Sequence, residues 1–177
     1  MADFRYIQEA EEKANELIRA FNIQRPPVPV ERIAEKLGLA VIGYDLGEDV
    51  SGTLVIEKGK GYIGYNPTHS KKRQRFTIGH EIGHFTLHYS DNHMFVDKDF
   101  LIKYRSANTY TPAEYVQEQQ ANAFSAALLM PKAFINAELK KLPSLAEVEL
   151  IETLAKLFDV SVPAMTYRLN NLNYFPF

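Results

Sequence analysis

The sequence predicts an α+β fold, a small sheet with helices packed on one side, and three observations carry that expectation. Apolar residues recur at helical spacing near the N-terminus and again through most of the C-terminal third. Between these stretches, short β-prone runs flank a turn bearing two glycines. A helix after that hairpin carries His80-Glu81-Ile82-Gly83-His84. At 177 residues the chain fits one domain, 1–177, long enough to bury a proper core. That domain divides into a helical N-terminal segment, 1–37, a sheet plus motif helix, 38–90, and further helices over 111–173.

Ile7, Ala10, Ala14, Leu17, Ile18 and Phe21 set a first helix over about residues 3–21. Pro26, Pro27 and Pro29 make a stiff break. A short helix follows over residues 30–37, and Gly38 supplies its stop. Residues 39–44 are β-like. Residues 53–56 and 62–65 flank Glu57-Lys58-Gly59-Lys60-Gly61 and read as a mostly antiparallel hairpin unit. Asn66-Pro67 leads into the motif helix, roughly 69–89. Residues 91–111 are polar and irregular, apart from a candidate strand at 100–104; a stretch this long suits the rim of a cleft. Helices resume over 112–130, 132–139, 145–158 and 162–172.

Composition narrows the function classes. The net charge of −2 argues against a surface built chiefly for nucleic acid. Cysteine is absent, which excludes disulfides and thiolate-held metals and fits a reducing, cytoplasmic setting. The N-terminus lacks a signal-like apolar region. The longest mostly apolar run, 121–130, is interrupted by Asn122 and Ser125 and is too short to span a bilayer.

The motif points to metal chemistry. Residues four apart stack on one helix face, so His80 and His84 can close on one cation, with Zn2+ the expected ion. Glu81, beside the first histidine, is then placed as the general base of a zinc hydrolase. Such a site needs a third protein ligand. An arrangement with glycine three residues and histidine six residues after the second histidine is excluded, because those positions hold Leu87 and Ser90.

A glutamate on a later helix remains, and two lie one turn apart. Glu114 belongs to Thr111-Pro112-Ala113-Glu114, which has the form of a capping box with proline at the first helical position. Glu118 has no such local task and is the predicted third ligand. Asn122, one turn further, is predicted to hydrogen-bond the far nitrogen of a ligating imidazole.

Other residues receive weaker readings. His88 continues the histidine stack and could be a ligand or cleft residue, but a cation offsetting the helix dipole is the favoured explanation. His69 and His93 are assigned no role. Gly79 and Gly83 cost about 1 kcal/mol each in a helix, which implies close approach of a neighbouring backbone. Tyr62, Tyr65, His88, Tyr104 and Tyr110 stay open as oxyanion donors. The 62–65 strand is a candidate sheet edge for an extended substrate. Residues 152–172 have a weak helix-turn-helix look with Arg168 as its base-reading cation, and a structural helix pair is favoured. Lys71-Lys72-Arg73-Gln74-Arg75 reads as a solvated face, so direct nucleic-acid binding is disfavoured.

With these pieces placed, the chain resembles the ImmA/IrrE family of zinc-dependent peptidases. The resemblance rests on residues 75–88, RFTIGHEIGHFTLH, and 118–131, EQQANAFSAALLMP, and extends over about 29–172. It implies a zincin-like fold and a gluzincin-like site, with His80, His84 and Glu118 on zinc and Glu81 as acid/base. It also implies a regulatory endopeptidase whose protein substrate is a helix-turn-helix repressor of a prophage or mobile element. Gln120 departs from the family, which often has an acidic residue there, but this is not a ligand position. The competing expectation is a non-catalytic zinc-containing regulator that grips a repressor or antitoxin without cutting it. Intact Glu81 favours an enzyme, because a purely structural zinc site needs no base. Oligomeric state is not legible.

Overall fold

The computed structural model describes residues 5–47, 50–88, 94–98, 111–142 and 145–175. Among them run helices α1 (Arg5–Ala20) and α2 (Val30–Lys36), strands β1 (Leu39–Gly43), β2 (Val50–Glu57) and β3 (Lys60–Tyr65), and helix α3 (Lys71–His88). Strand β4 (Met94–Lys98) follows, then α4 (Pro112–Leu129), α5 (Lys132–Leu139), α6 (Glu147–Phe158) and α7 (Val162–Asn171). The architecture is α+β, as the periodicity predicts.

The sheet runs in the order β1-β3-β2-β4. β1 is parallel to β3, whereas β2 is antiparallel to both β3 and β4. The β2–β3 hairpin closes through Lys58 and Gly59 alone, with φ of +50° and +77°. Two left-handed residues make the turn that matches strand twist, so the link is tighter than the expected five-residue turn. The order also corrects the expected substrate edge: β3 lies between two strands, and β1 and β4 are the edges. β4 itself falls where an irregular segment was expected. Its first three residues, Met94-Phe95-Val96, are apolar and β-prone, a local signal that reading 91–111 as one polar stretch passes over, and they pair with β2. The candidate strand at 100–104 lies outside the described residues.

α3 is the centre of the molecule. It packs against α4 on one side and against β2 and β3 on another, while α1 lies on α4 and α2 on β1. Leu54 and Ile63 of the sheet, Ile78 and Ile82 of α3, and Phe124 and Leu128 of α4 are all buried in one core. Gly83 meets a neighbouring backbone as expected, whereas Gly79 makes room chiefly for a side chain. A Cβ on Gly83 would lie 3.1 Å from Ala121 Cα, and one on Gly79 would lie 2.6 Å from Ser125 Oγ. Ser125 Oγ in turn donates to the Phe76 carbonyl at 2.9 Å, tying α4 to α3.

The C-terminal helix pair is structural where the weak DNA-binding look required an exposed cation. Arg168 is only 3% exposed. Its guanidinium pairs with Glu11 of α1 and donates from Nε to the Met130 carbonyl at 3.2 Å. The basic run before the motif is likewise not a plain solvated face. Arg75 Nε reaches the Asp159 carbonyl at 3.2 Å, and its Nη2 donates to the Val28 carbonyl at 3.0 Å. Among the described residues no helix is long and apolar enough to cross a membrane.

Candidate metal centre

Local chemistry starts both helices of the site at defined residues. Before α3, Asn66 Oδ1 accepts from the Thr68 amide and hydroxyl, and Asn66 Nδ2 donates to the Gly47 carbonyl at 2.9 Å. Ser70 Oγ accepts from the Arg73 amide, and Gln74 Nε2 donates to the carbonyls of Pro67 and His69. Ser70 thus caps the orphan Arg73 amide, and Gln74 and Asn66 tie down the loop that leads into the helix. For α4 the capping box is present: Glu114 accepts from the Thr111 amide at 2.8 Å, and Thr111 Oγ1 accepts from the Glu114 amide. Glu114 is thus engaged at the helix end.

One turn on, Glu118 meets the motif. Its Oε2 lies 3.5 Å from His80 Nε2 and its Oε1 3.6 Å from His84 Nε2. The two Nε2 atoms are 2.9 Å apart. One ligand atom from each of the three residues falls within 4.8 Å of the others, a group able to hold a metal ion. His80 and His84 are 2% and 1% exposed, and the Glu118 side chain 17%. Asn122 Oδ1 stands 3.0 Å from His80 Nδ1. A carbonyl oxygen only accepts, so a hydrogen bond here needs the ring proton on Nδ1, the tautomer that offers the Nε2 lone pair toward His84 and Glu118. Two nitrogens and a carboxylate presented this way fit the donor chemistry of Zn2+.

Glu81 is fully buried beside this group. Above it passes β2: a Cβ on Gly52 would come within 2.9 Å of Glu81 Oε1 and 2.3 Å of Thr77 Cγ2. Gly52 is a site residue that the motif spacing does not reveal. The signal was a glycine within a β-prone run, which marks a bulge or a close approach of backbone.

The remaining candidates separate by position. His88 is half-buried with its ring centroid 5.7 Å from that of His84. Burial pushes its pKa below 6.5, against the opposing pull of a backbone hydrogen bond at Gln117 and the Glu118 charge. The ring stands next to His84, in the last turn of α3 where the helix dipole also acts. Tyr62 alternates with buried Ile63 and projects to the opposite face of the sheet. Tyr65 leans over Gly43 of β1, away from β2 and Glu81. Tyr104, Tyr110 and His93 lie outside the described residues. A separate polar groove, lined by Glu31, Glu35, Tyr65, Lys71 and Arg75, sits on another face of α3.

The family model described as the IrrE N-terminal-like domain, a peptidase M78 model, matches residues 34–170. The chain belongs to this family. The IrrE N-terminal-like match runs from α2 to α7 and so contains the sheet, the motif helix and both partners on α4. Among solved structures, a Mycobacterium tuberculosis transcriptional regulator superposes with a TM-score of 0.63 at 16% identity. The likeness covers 93% of this chain and 47% of that one, so this chain spans about half the regulator's length. At that identity it shows a shared fold. No curated protein matches the chain.

Proposed function

We propose that this protein is a zinc-dependent endopeptidase of the cytoplasm, acting on a protein substrate of the helix-turn-helix repressor class. The observation that carries the reading is the convergence of His80, His84 and Glu118 around one point, with buried Glu81 alongside. The family supports metallopeptidase chemistry; the repressor substrate is our extension of it.

In this reading His80, His84 and Glu118 hold the ion, and Asn122 keeps His80 in the tautomer that offers Nε2. When bound, Zn2+ supplies Lewis acidity and makes hydroxide accessible near neutral pH. Glu81 accepts a proton on its carboxylate as water attacks the scissile carbonyl, then returns it to the leaving amine. Burial of Glu81 away from bulk water keeps that proton from being lost to solvent. His88 borders the same enclosure, the one described candidate of the original five that does so.

Glu81→Gln tests this directly. Co-incubation of zinc-loaded protein with a repressor encoded beside it should give cleavage that a chelator stops and that E81Q lacks while still binding zinc. Cleavage by E81Q would remove Glu81 as base. Absence of stoichiometric zinc after loading would remove the metal centre itself.

A further inference from the structure

We propose that the bulged Ser51-Gly52 segment of β2, tightened by Arg73, is a positioning device for the Glu81 carboxylate. This rests on the reading of Glu81 as general base. Arg73, Thr77 and Glu81 follow one another at four-residue steps, so they form a single stripe on α3. That stripe faces β2 at two successive residues. Arg73 Nη2 donates to Ser51 Oγ at 2.8 Å, and Gly52 lies against Thr77 and Glu81.

A regular strand does not present consecutive residues to one side. Here Ser51 and Gly52 are both buried. The cause is a break in the β2–β4 ladder, where the register passes from Val50↔Lys98 to Gly52↔Asp97 and leaves Ser51 as an extra residue. The bulge is pinned from the β3 side as well. The Asn66 amide donates to the Ser51 carbonyl at 2.9 Å, and Asn66 Nδ2 reaches the Val50 carbonyl at 3.4 Å. Backbone therefore stands where a regular strand would present a side chain.

A glutamate has several staggered rotamers, and a base that samples them transfers protons from the wrong place. Because position 52 carries no Cβ, Oε1 sits in the space beside it, and the bulge holds that space open for this one placement of the carboxylate. A larger residue at 52 would fill the place the carboxylate occupies. Ser51, Gly52 and Arg73 touch no reacting atom in this account; they act through Glu81.

A melting cycle and a kinetic arm test this. In a Thr77→Ser background, which removes the Cγ2 contact, Gly52→Ala should lower the Tm of the metal-free protein. The same change in T77S/E81A should cost less than half as much. An equal loss with and without Glu81 overturns the proposal, whatever the activity. In the kinetic arm, Ser51→Ala and Arg73→Met should lower kcat on dye-labelled casein by about 10- to 100-fold. The apparent KM and the zinc affinity should stay within about twofold, and Arg73→Lys should recover part of the rate. Unchanged kcat in both variants also overturns it. Wild-type protein that holds zinc yet cleaves neither casein nor a neighbouring repressor counts against the peptidase reading, and the melting cycle then decides the contact.

Discussion

Gly83→Ala sets two effects of known size against each other. Alanine in a helix interior is favoured over glycine by about 1 kcal/mol. Against that, the added Cβ would lie 3.1 Å from both Ala121 Cα and Phe124 Cδ1, and 3.2 Å from the Ala121 carbonyl oxygen. Comfortable carbon contacts begin near 3.5 Å, so α4 must retreat by roughly 0.3–0.5 Å. Two of the three obstacles are backbone, and Phe124 is itself fully buried. Overpacking of this kind costs about 1–3 kcal/mol, leaving a net loss of about 1 kcal/mol. For a chain of this size that is a Tm lower by about 2–4 °C. Zinc affinity should fall too, because Glu118 sits on the displaced helix while His80 and His84 do not. Calorimetry of the metal-free protein and a chelator competition read the two effects. A variant that melts about 2–4 °C higher than wild type would show the propensity term alone, and the close-packing argument would be wrong.

Asn122→Ala should weaken zinc binding by about 10- to 100-fold, with Asn122→Asp restoring much of it; an affinity within about twofold of wild type would deny Asn122 its role behind His80. Arg168→Met strands the Met130 carbonyl and a Glu11 that keeps some solvent, so about 1–3 kcal/mol should be lost, a Tm drop of about 2–12 °C. An unshifted melt would mean the buried pair contributes nothing. The folded His88 pKa lies below 6.5 because of burial, so the unfolded chain takes up that proton first as pH falls. Stability then declines from about pH 6.5 down to the folded pKa and levels off below it. Metal-free His88→Gln should lose less Tm than wild type between pH 7 and pH 5, and equal losses would refute the assignment.

The elements most legible in the sequence are those set by local chemistry. The 3.6-residue spacing of Ala10, Ala14 and Ile18 predicts the buried stripe of α1, and Gly38, at φ +80°, ends the α2 unit where expected. The capping box at Thr111 occupies Glu114 locally and so favours Glu118 from the sequence alone. Gly79 and Gly83 announce α4 because a helix tolerates glycine only for a reason. Strand β4 is less legible, since its β-prone triplet Met94-Phe95-Val96 is short and set among polar residues, and it gains its place only by pairing with β2. The interior place of β3 is also non-local: nothing within residues 60–65 states that β1 returns parallel beside it.

The site divides along the same line. Four-residue steps along single helices bring together His80 with His84 and Glu118 with Asn122, and a one-dimensional reading reaches both pairs. That the pairs meet follows from two glycines and a serine that let α3 and α4 approach closely. The wall over Glu81 needs more, because it depends on which strand lies above α3 and on a ladder slip at Ser51. A reading that begins the strand at Thr53 discards the residue that touches the carboxylate. Glycine in a strand costs packing and backbone entropy, so its presence at 52 asks for the same explanation as Gly83 does in the helix. In both places the missing side chain makes room for a neighbour: α4 at position 83, and the carboxylate of Glu81 at position 52.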